Sequence, residues 1–73
     1  MKAKVRLDTM TDIKDFIEAA TKSTAPIYLT DDNNMKVSAT SLLGVMYTME
    51  WSEVYCTCEQ DIYHLIERFI VEE

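Results

Sequence analysis

Residues Ala3 to Leu7 alternate, with Ala3, Val5 and Leu7 on one side and Lys4 and Arg6 on the other, which is the period of a half-buried strand with a cationic outer face. Beyond Asp8 and the stretch Thr9 to Asp12, the apolar residues Ile13, Phe16, Ile17 and Ala20 recur at the spacing of one helix face. Thr11 or Asp12 is the expected N-cap. Asp12 and Asp15 near the start and Lys22 near the end follow the helix dipole. Ala25 and Pro26 break this pattern, and Ile27, Tyr28 and Leu29 open a second strand, since proline is accepted at the first position of a strand. Asp31 to Asn34 reads as a turn, and Met35 to Ser38 as a third strand that returns on the second as a hairpin. Ser41 then heads the run Leu42, Leu43, Gly44, Val45, Met46, Tyr47, a short helix that Ser41 caps.

That helix is apolar on nearly every side, and one helix cannot bury its whole circumference on one sheet. Leu43 or Val45 is expected inward, with Leu42 and Met46 outward. Glu53 to Cys58 alternates again, placing Val54, Cys56 and Cys58 on one face of a fourth strand. Asp61 is the expected cap of a last helix with the stripe Ile62, Leu65, Ile66 and Phe69. Strand, helix, strand, strand, helix, strand, helix, with a hairpin in the middle, fits an α+β fold in which helices pack on one face of an antiparallel sheet.

Length and charge narrow the function. Seventy-three residues, 48% of them hydrophobic and 27% charged, make one small globular domain without a linker or repeat. A domain of this size buries only about 60% of its unfolded surface, so its stability is expected to be modest. The formal charge of -6 disfavours nucleic acid and anionic membrane as partners. No apolar run is long enough to span a bilayer, and the opening Met1 to Arg6 is not followed by a signal-peptide core, which together suggest a cytoplasmic protein. Two cysteines are too few for a secreted disulfide scaffold.

The chemistry-bearing residues are sparse. Cys56 and Cys58 share a strand face and His64 follows, but a closed zinc site needs four ligands and no second pair exists, so they read as reduced core cysteines and no metal or cofactor is expected. An extended strand also holds their Cα atoms near the upper limit for a disulfide. His64 lies off the apolar stripe of its helix, with no nucleophile or carboxylate constellation around it in the sequence. Asp31 and Asp32 lack the rest of a calcium loop. Gly44 is the only glycine, so no glycine-rich phosphate loop exists. Trp51 either covers one end of the sheet or serves as a contact residue. Nothing here points to an enzyme.

The segment Val37, Ser38, Ala39, Thr40, Ser41, Leu42, Leu43, Gly44, Val45, Met46 resembles the regulatory serine segment of the histidine-containing phosphocarrier protein, HPr, of the bacterial sugar phosphotransferase system. Phe16 to Lys22, followed by Pro26 to Leu29, is similar to that family's first helix and second strand, and the element order and length agree over essentially the whole chain. The resemblance implies an open-faced sandwich, a four-stranded antiparallel sheet covered on one face by three helices. It also implies that Leu42, Leu43 and Met46 form the apolar patch by which such proteins dock enzymes and regulators. Ser41 falls at the family's regulatory serine, the target of HPr kinase, a role compatible with helix capping, although Thr40 replaces the basic residue that often precedes it.

One departure matters more than these matches. The family's Gly-x-His-Ala-Arg-Pro motif is replaced by Leu7, Asp8, Thr9, Met10, Thr11, Asp12, so that Thr9 stands near the phosphorylated histidine and Thr11 near the arginine of that degenerate phosphocarrier site. A threonine phosphoester lacks the labile phosphorus to nitrogen bond, and Asp8 and Asp12 would repel an incoming phosphoryl group. The expected function is therefore that of a non-catalytic HPr-like regulator that binds proteins, with HPr kinase or a transcriptional or metabolic regulator among its partners. The alternatives are a phosphocarrier using a non-standard site and a structural domain that retains only the fold.

Overall fold

The computed structural model describes residues 1–71. Four strands, β1 (Lys2–Val5), β2 (Ile27–Thr30), β3 (Lys36–Ser38) and β4 (Val54–Cys58), form one sheet in the order β1-β4-β2-β3. Every neighbouring pair is antiparallel. The helices α1 (Met10–Thr21), α2 (Leu42–Tyr47) and α3 (Tyr63–Ile66) cover one face, and 3₁₀ turns over Thr48–Glu50 and Glu67–Phe69 prolong the last two. This is the open-faced sandwich that the family resemblance implies.

Strand alternation decides what the core contains. Val5, Ile27, Leu29, Val54, Cys56 and Cys58 point from the sheet towards the helices and are buried. Ile13, Phe16 and Ala20 of α1, Val45 of α2, and Ile62, Ile66 and Phe69 at the C-terminal end meet them in one cluster. Within it the Phe16 and Phe69 rings pack edge to face with centroids 5.2 Å apart, which ties α1 to the end of the chain. Arg68 adds exposed ion pairs to Asp15 (3.1 Å) and Asp12 (3.8 Å) over the same junction.

Local boundaries differ from the pattern in instructive ways. The cap of α1 is Thr9, not Thr11 or Asp12: Thr9 Oγ1 accepts from the Asp12 amide at 3.1 Å and Asp12 Oδ2 accepts from the Thr9 amide at 3.3 Å, a capping box. Met10 thus begins the helix although it contributes nothing to the buried stripe. Asp61 precedes the last helix, where its carboxylate accepts from the Tyr63 amide at 3.0 Å, but the N-cap position is Ile62. In place of a regular helix, Tyr63 to Phe69 forms one α turn followed by a 3₁₀ turn. The hairpin turn is as expected, with Asp31 Oδ1 accepting from the Asn33 and Met35 amides and Asn34 taking positive φ. β1 ends at Val5, where the chain bends to accept a C-terminal strap: Val5 bridges Ile70, and the Val71 amide donates to the Lys4 carbonyl at 2.9 Å. The strap covers part of an otherwise open sheet edge.

Among the described residues no helix packs on the other face of the sheet. Register places Lys2, Thr57, Tyr28 and Ser38 in one row across it and Lys4, Tyr55, Thr30 and Lys36 in the next. The Tyr55 hydroxyl donates to Glu53 at 2.6 Å and Lys4 Nζ lies 3.7 Å from the same carboxylate. Together they hold the Glu53 carboxyl below its usual range, the tyrosine hydrogen bond contributing most.

Candidate docking site

Ser41 opens α2 in extended conformation, and its Oγ accepts from the Gly44 amide at 3.2 Å, so the predicted cap is present. Gly44 lets the helix sit close to β3, since a Cβ there would lie 3.1 Å from Val37 Cβ and 3.3 Å from Ser41 Oγ. With that side against the sheet, Val45 points into the core and is fully buried. Thr48 follows it inward, its buried hydroxyl donating to the Val45 carbonyl at 2.6 Å. The remaining circumference faces out. Leu43 is 79% exposed, Leu42 49% and Met46 37%.

Two further exposed apolar residues, Tyr47 and Met49, continue this surface along the chain. Sequence reasoning passed over them, although the apolar run past Met46 was the available signal. Tyr47 packs edge to face on Trp51, with centroids 6.3 Å apart, and the half-buried Trp51 also rests against the core. Trp51 thus supports the end of the patch from beneath.

The degenerate phosphocarrier position has a different chemistry. Thr9 and Thr11 are both exposed at the start of α1. Amides at a helix N-terminus make a natural anion site, but here the chain supplies the anion itself: Asp12 Oδ2 accepts from both the Asp8 amide (3.1 Å) and the Thr9 amide (3.3 Å). Arg68 lies 3.8 Å from the other oxygen of the same carboxylate. An incoming phosphoryl group would meet this carboxylate and no imidazole. His64 sits exposed in α3, in a shallow depression with Tyr63, Glu67 and Arg68.

Cys56 and Cys58 are free thiols buried side by side on the core face of β4. Loss of hydration pushes the Cys56 thiol up to about 12, the opposite of an activated nucleophile. Among the described residues no three His, Cys, Asp or Glu side chains come together as a metal-binding group. No helix among them is long and apolar enough to cross a membrane.

With this geometry in place, comparison with solved structures gives the class. The chain is similar to the crystal structure of HPr-C-His from Thermoanaerobacter tengcongensis, with a TM-score of 0.75 over 96% of this chain and 90% of that one. The two sequences are 20% identical, so the likeness is one of fold: the protein is an α+β open-faced sandwich of the HPr type. No protein-family model matches the sequence, and no curated protein matches it.

Proposed function

We propose that the protein is a non-catalytic, HPr-like member of the bacterial cytoplasm, related to the sugar phosphotransferase system, that acts by binding other proteins. Leu42, Leu43 and Met46 are the docking patch and Ser41 is the residue at which a phosphate would switch it. The observation that carries this reading is Leu43, 79% exposed in a chain whose other helices turn their apolar stripes inward. A small domain gains stability from each leucine it buries, and one held in water together with Leu42 and Met46 is a surface suited to a partner. Methionine adds adaptability to such a surface.

Ser41 suits a switch because it stands at the helix N-terminus beside the patch. A phosphate would add about -1.5 to -2 charges where the helix dipole tolerates them, next to the leucines, and would attract an arginine-bearing partner. HPr kinase is the candidate modifying enzyme, and a transcriptional or metabolic regulator the candidate target. The carrier alternative is disfavoured by Asp12, whose carboxylate already accepts from the Asp8 and Thr9 amides just ahead of α1 and would repel a phosphoryl group.

Intact mass after incubation with HPr kinase and ATP tests the switch, with Ser41→Ala as control. A single phosphate lost in Ser41→Ala supports it, and an unmodified wild-type chain removes it. Affinity capture with wild type and Leu43→Asp tests the patch; partners held equally well by both would refute it. Incubation with enzyme I and phosphoenolpyruvate separates the classes, because an acid-labile phosphoryl group on this chain would make it a carrier after all.

A further inference from the structure

The uncovered face of the sheet differs in charge from the rest of the molecule. Lys2, Lys4 and Lys36 stand on it, with Glu53 and Glu59 continuing the outward alternation of β4 at its two ends. The domain is acidic as a whole, yet three of its lysines gather into a plate on the face that no described helix covers.

The plate has an ordered arrangement. Tyr28 and Tyr55 lie diagonally across the central strands β2 and β4, and each ring carries a lysine from the flanking strand. Lys36 Nζ lies 4.1 Å from the Tyr28 centroid and Lys2 Nζ 4.9 Å from that of Tyr55. A cation over an aromatic face is partly desolvated and its stem is ordered, so less freedom is lost when an anion arrives. A depression of about 510 Å³ opens on this face, with Tyr28, Thr57 and Lys36 in its lining and Met1, Pro26 and Glu59 beside them.

We infer that this sheet face is a second docking surface, separate from α2, for a short acidic segment of a partner protein lying across Lys2 and Lys36. Two observations choose this occupant over single-stranded nucleic acid. Base stacking requires free aromatic faces, and both tyrosine rings are already engaged by lysines of the same chain. A long polyanion also feels the acidic remainder of the molecule, whereas a segment of a few carboxylates senses chiefly the charges within a screening length of about 10 Å.

Fluorescence anisotropy of the full chain with a labelled peptide of about twelve alternating glutamate and serine residues tests the assignment. The same peptide with glutamine for glutamate and an oligothymidylate of similar length serve as comparison probes. The glutamate peptide is expected to bind, the glutamine peptide to fail, and affinity to fall steadily as salt rises from low values to about 0.3 M. The double variant Lys2→Ser/Lys36→Ser, both at exposed positions, is expected to weaken binding about tenfold with an unchanged circular dichroism spectrum. Leu43→Asp is expected to weaken peptide binding by no more than about twofold, through its added charge alone. Equal binding of the glutamate and glutamine peptides, absence of binding to either, or undiminished binding by the double variant would overturn the inference. Tighter binding of the oligothymidylate would overturn it in favour of a nucleic-acid surface.

Discussion

The buried thiol of Cys56 makes the fold's response to alkali calculable. Cys56 occupies the middle of β4, flanked across the sheet by Ala3 of β1 and Leu29 of β2, and is 1% exposed. Burial raises its pKa from 9.0 to about 12; repulsion from Cys58 adds to the effect and the N-terminal ammonium opposes it. In the unfolded chain the thiol ionises near its ordinary value, so below about pH 9 both states hold the proton and stability does not depend on pH through this group. Between about 9 and 12 the unfolded chain releases the proton and the folded chain keeps it. Stability therefore falls by about 1.4 kcal/mol per pH unit, about 4 kcal/mol in all, before the slope vanishes above the folded value. A domain of this length holds only about 4–11 kcal/mol, so this single thiol is sufficient to bring it near unfolding in strong alkali. The comparison that isolates the effect is Cys56→Val, close in volume and suited to a strand, because the tyrosines and lysines titrate in both chains. Guanidinium midpoints at pH 7.5 and 10.5 are expected to show wild type losing about 2 kcal/mol more than Cys56→Val. Equal losses within about 0.5 kcal/mol would refute the reasoning. The same displacement leaves about one Cys56 thiolate in ten thousand at pH 8, so alkylation in the native state should run at least about a thousandfold slower than after denaturation.

Other residues give simpler expectations. Phe16→Ala removes a fully buried ring and its edge-to-face contact with Phe69, and is expected to cost about 3–5 kcal/mol, a large share of the stability of the domain, read by thermal or denaturant unfolding. Thr9→Ala breaks the α1 capping box and should lower stability by about 1 kcal/mol, with Thr9→Ser close to wild type in the same melts. Arg68→Ala leaves two exposed ion pairs unmade and is expected to change the melting curve by no more than about 1 kcal/mol, an effect that shrinks in high salt.

The fold was legible where one face of an element is buried, because burial writes a period into the chain. Val54, Cys56 and Cys58 could alternate inward only as a strand, and Ile13, Phe16 and Ala20 could share a face only as a helix. The misplaced cap of α1 has the opposite origin. Its box is built from Thr9 and Asp12, polar residues outside the buried stripe, and the exposed Met10 between them hid the true start of the helix. The strap of Ile70 and Val71 on β1 was not legible at all. It joins residues at opposite ends of the chain through backbone hydrogen bonds, which any side chain allows and no local pattern announces.

The two candidate surfaces divide along the same line. That α2 must leave apolar residues in water follows from circumference alone, and the structure adds only which ones: Val45 turns in because Gly44 brings that side of the helix against Val37, and Leu43 is left opposite. The cationic plate is different in kind. Strand alternation puts Lys2, Lys4, Tyr28, Lys36 and Tyr55 away from the core, but their proximity depends on β4 lying between β1 and β2, a pairing of strands far apart in sequence. Only after that pairing does an acidic chain acquire a cationic face, and net charge, which excludes anionic partners when read as one number, no longer excludes them locally. The start of α1 shows the converse: in the fold the Asp12 carboxylate turns back to accept from the Asp8 and Thr9 amides just ahead of the helix, a local negative charge where the sequence shows only a short polar stretch. The proposed patch on α2 and the open sheet are therefore the two faces at which a partner for this chain is to be sought first.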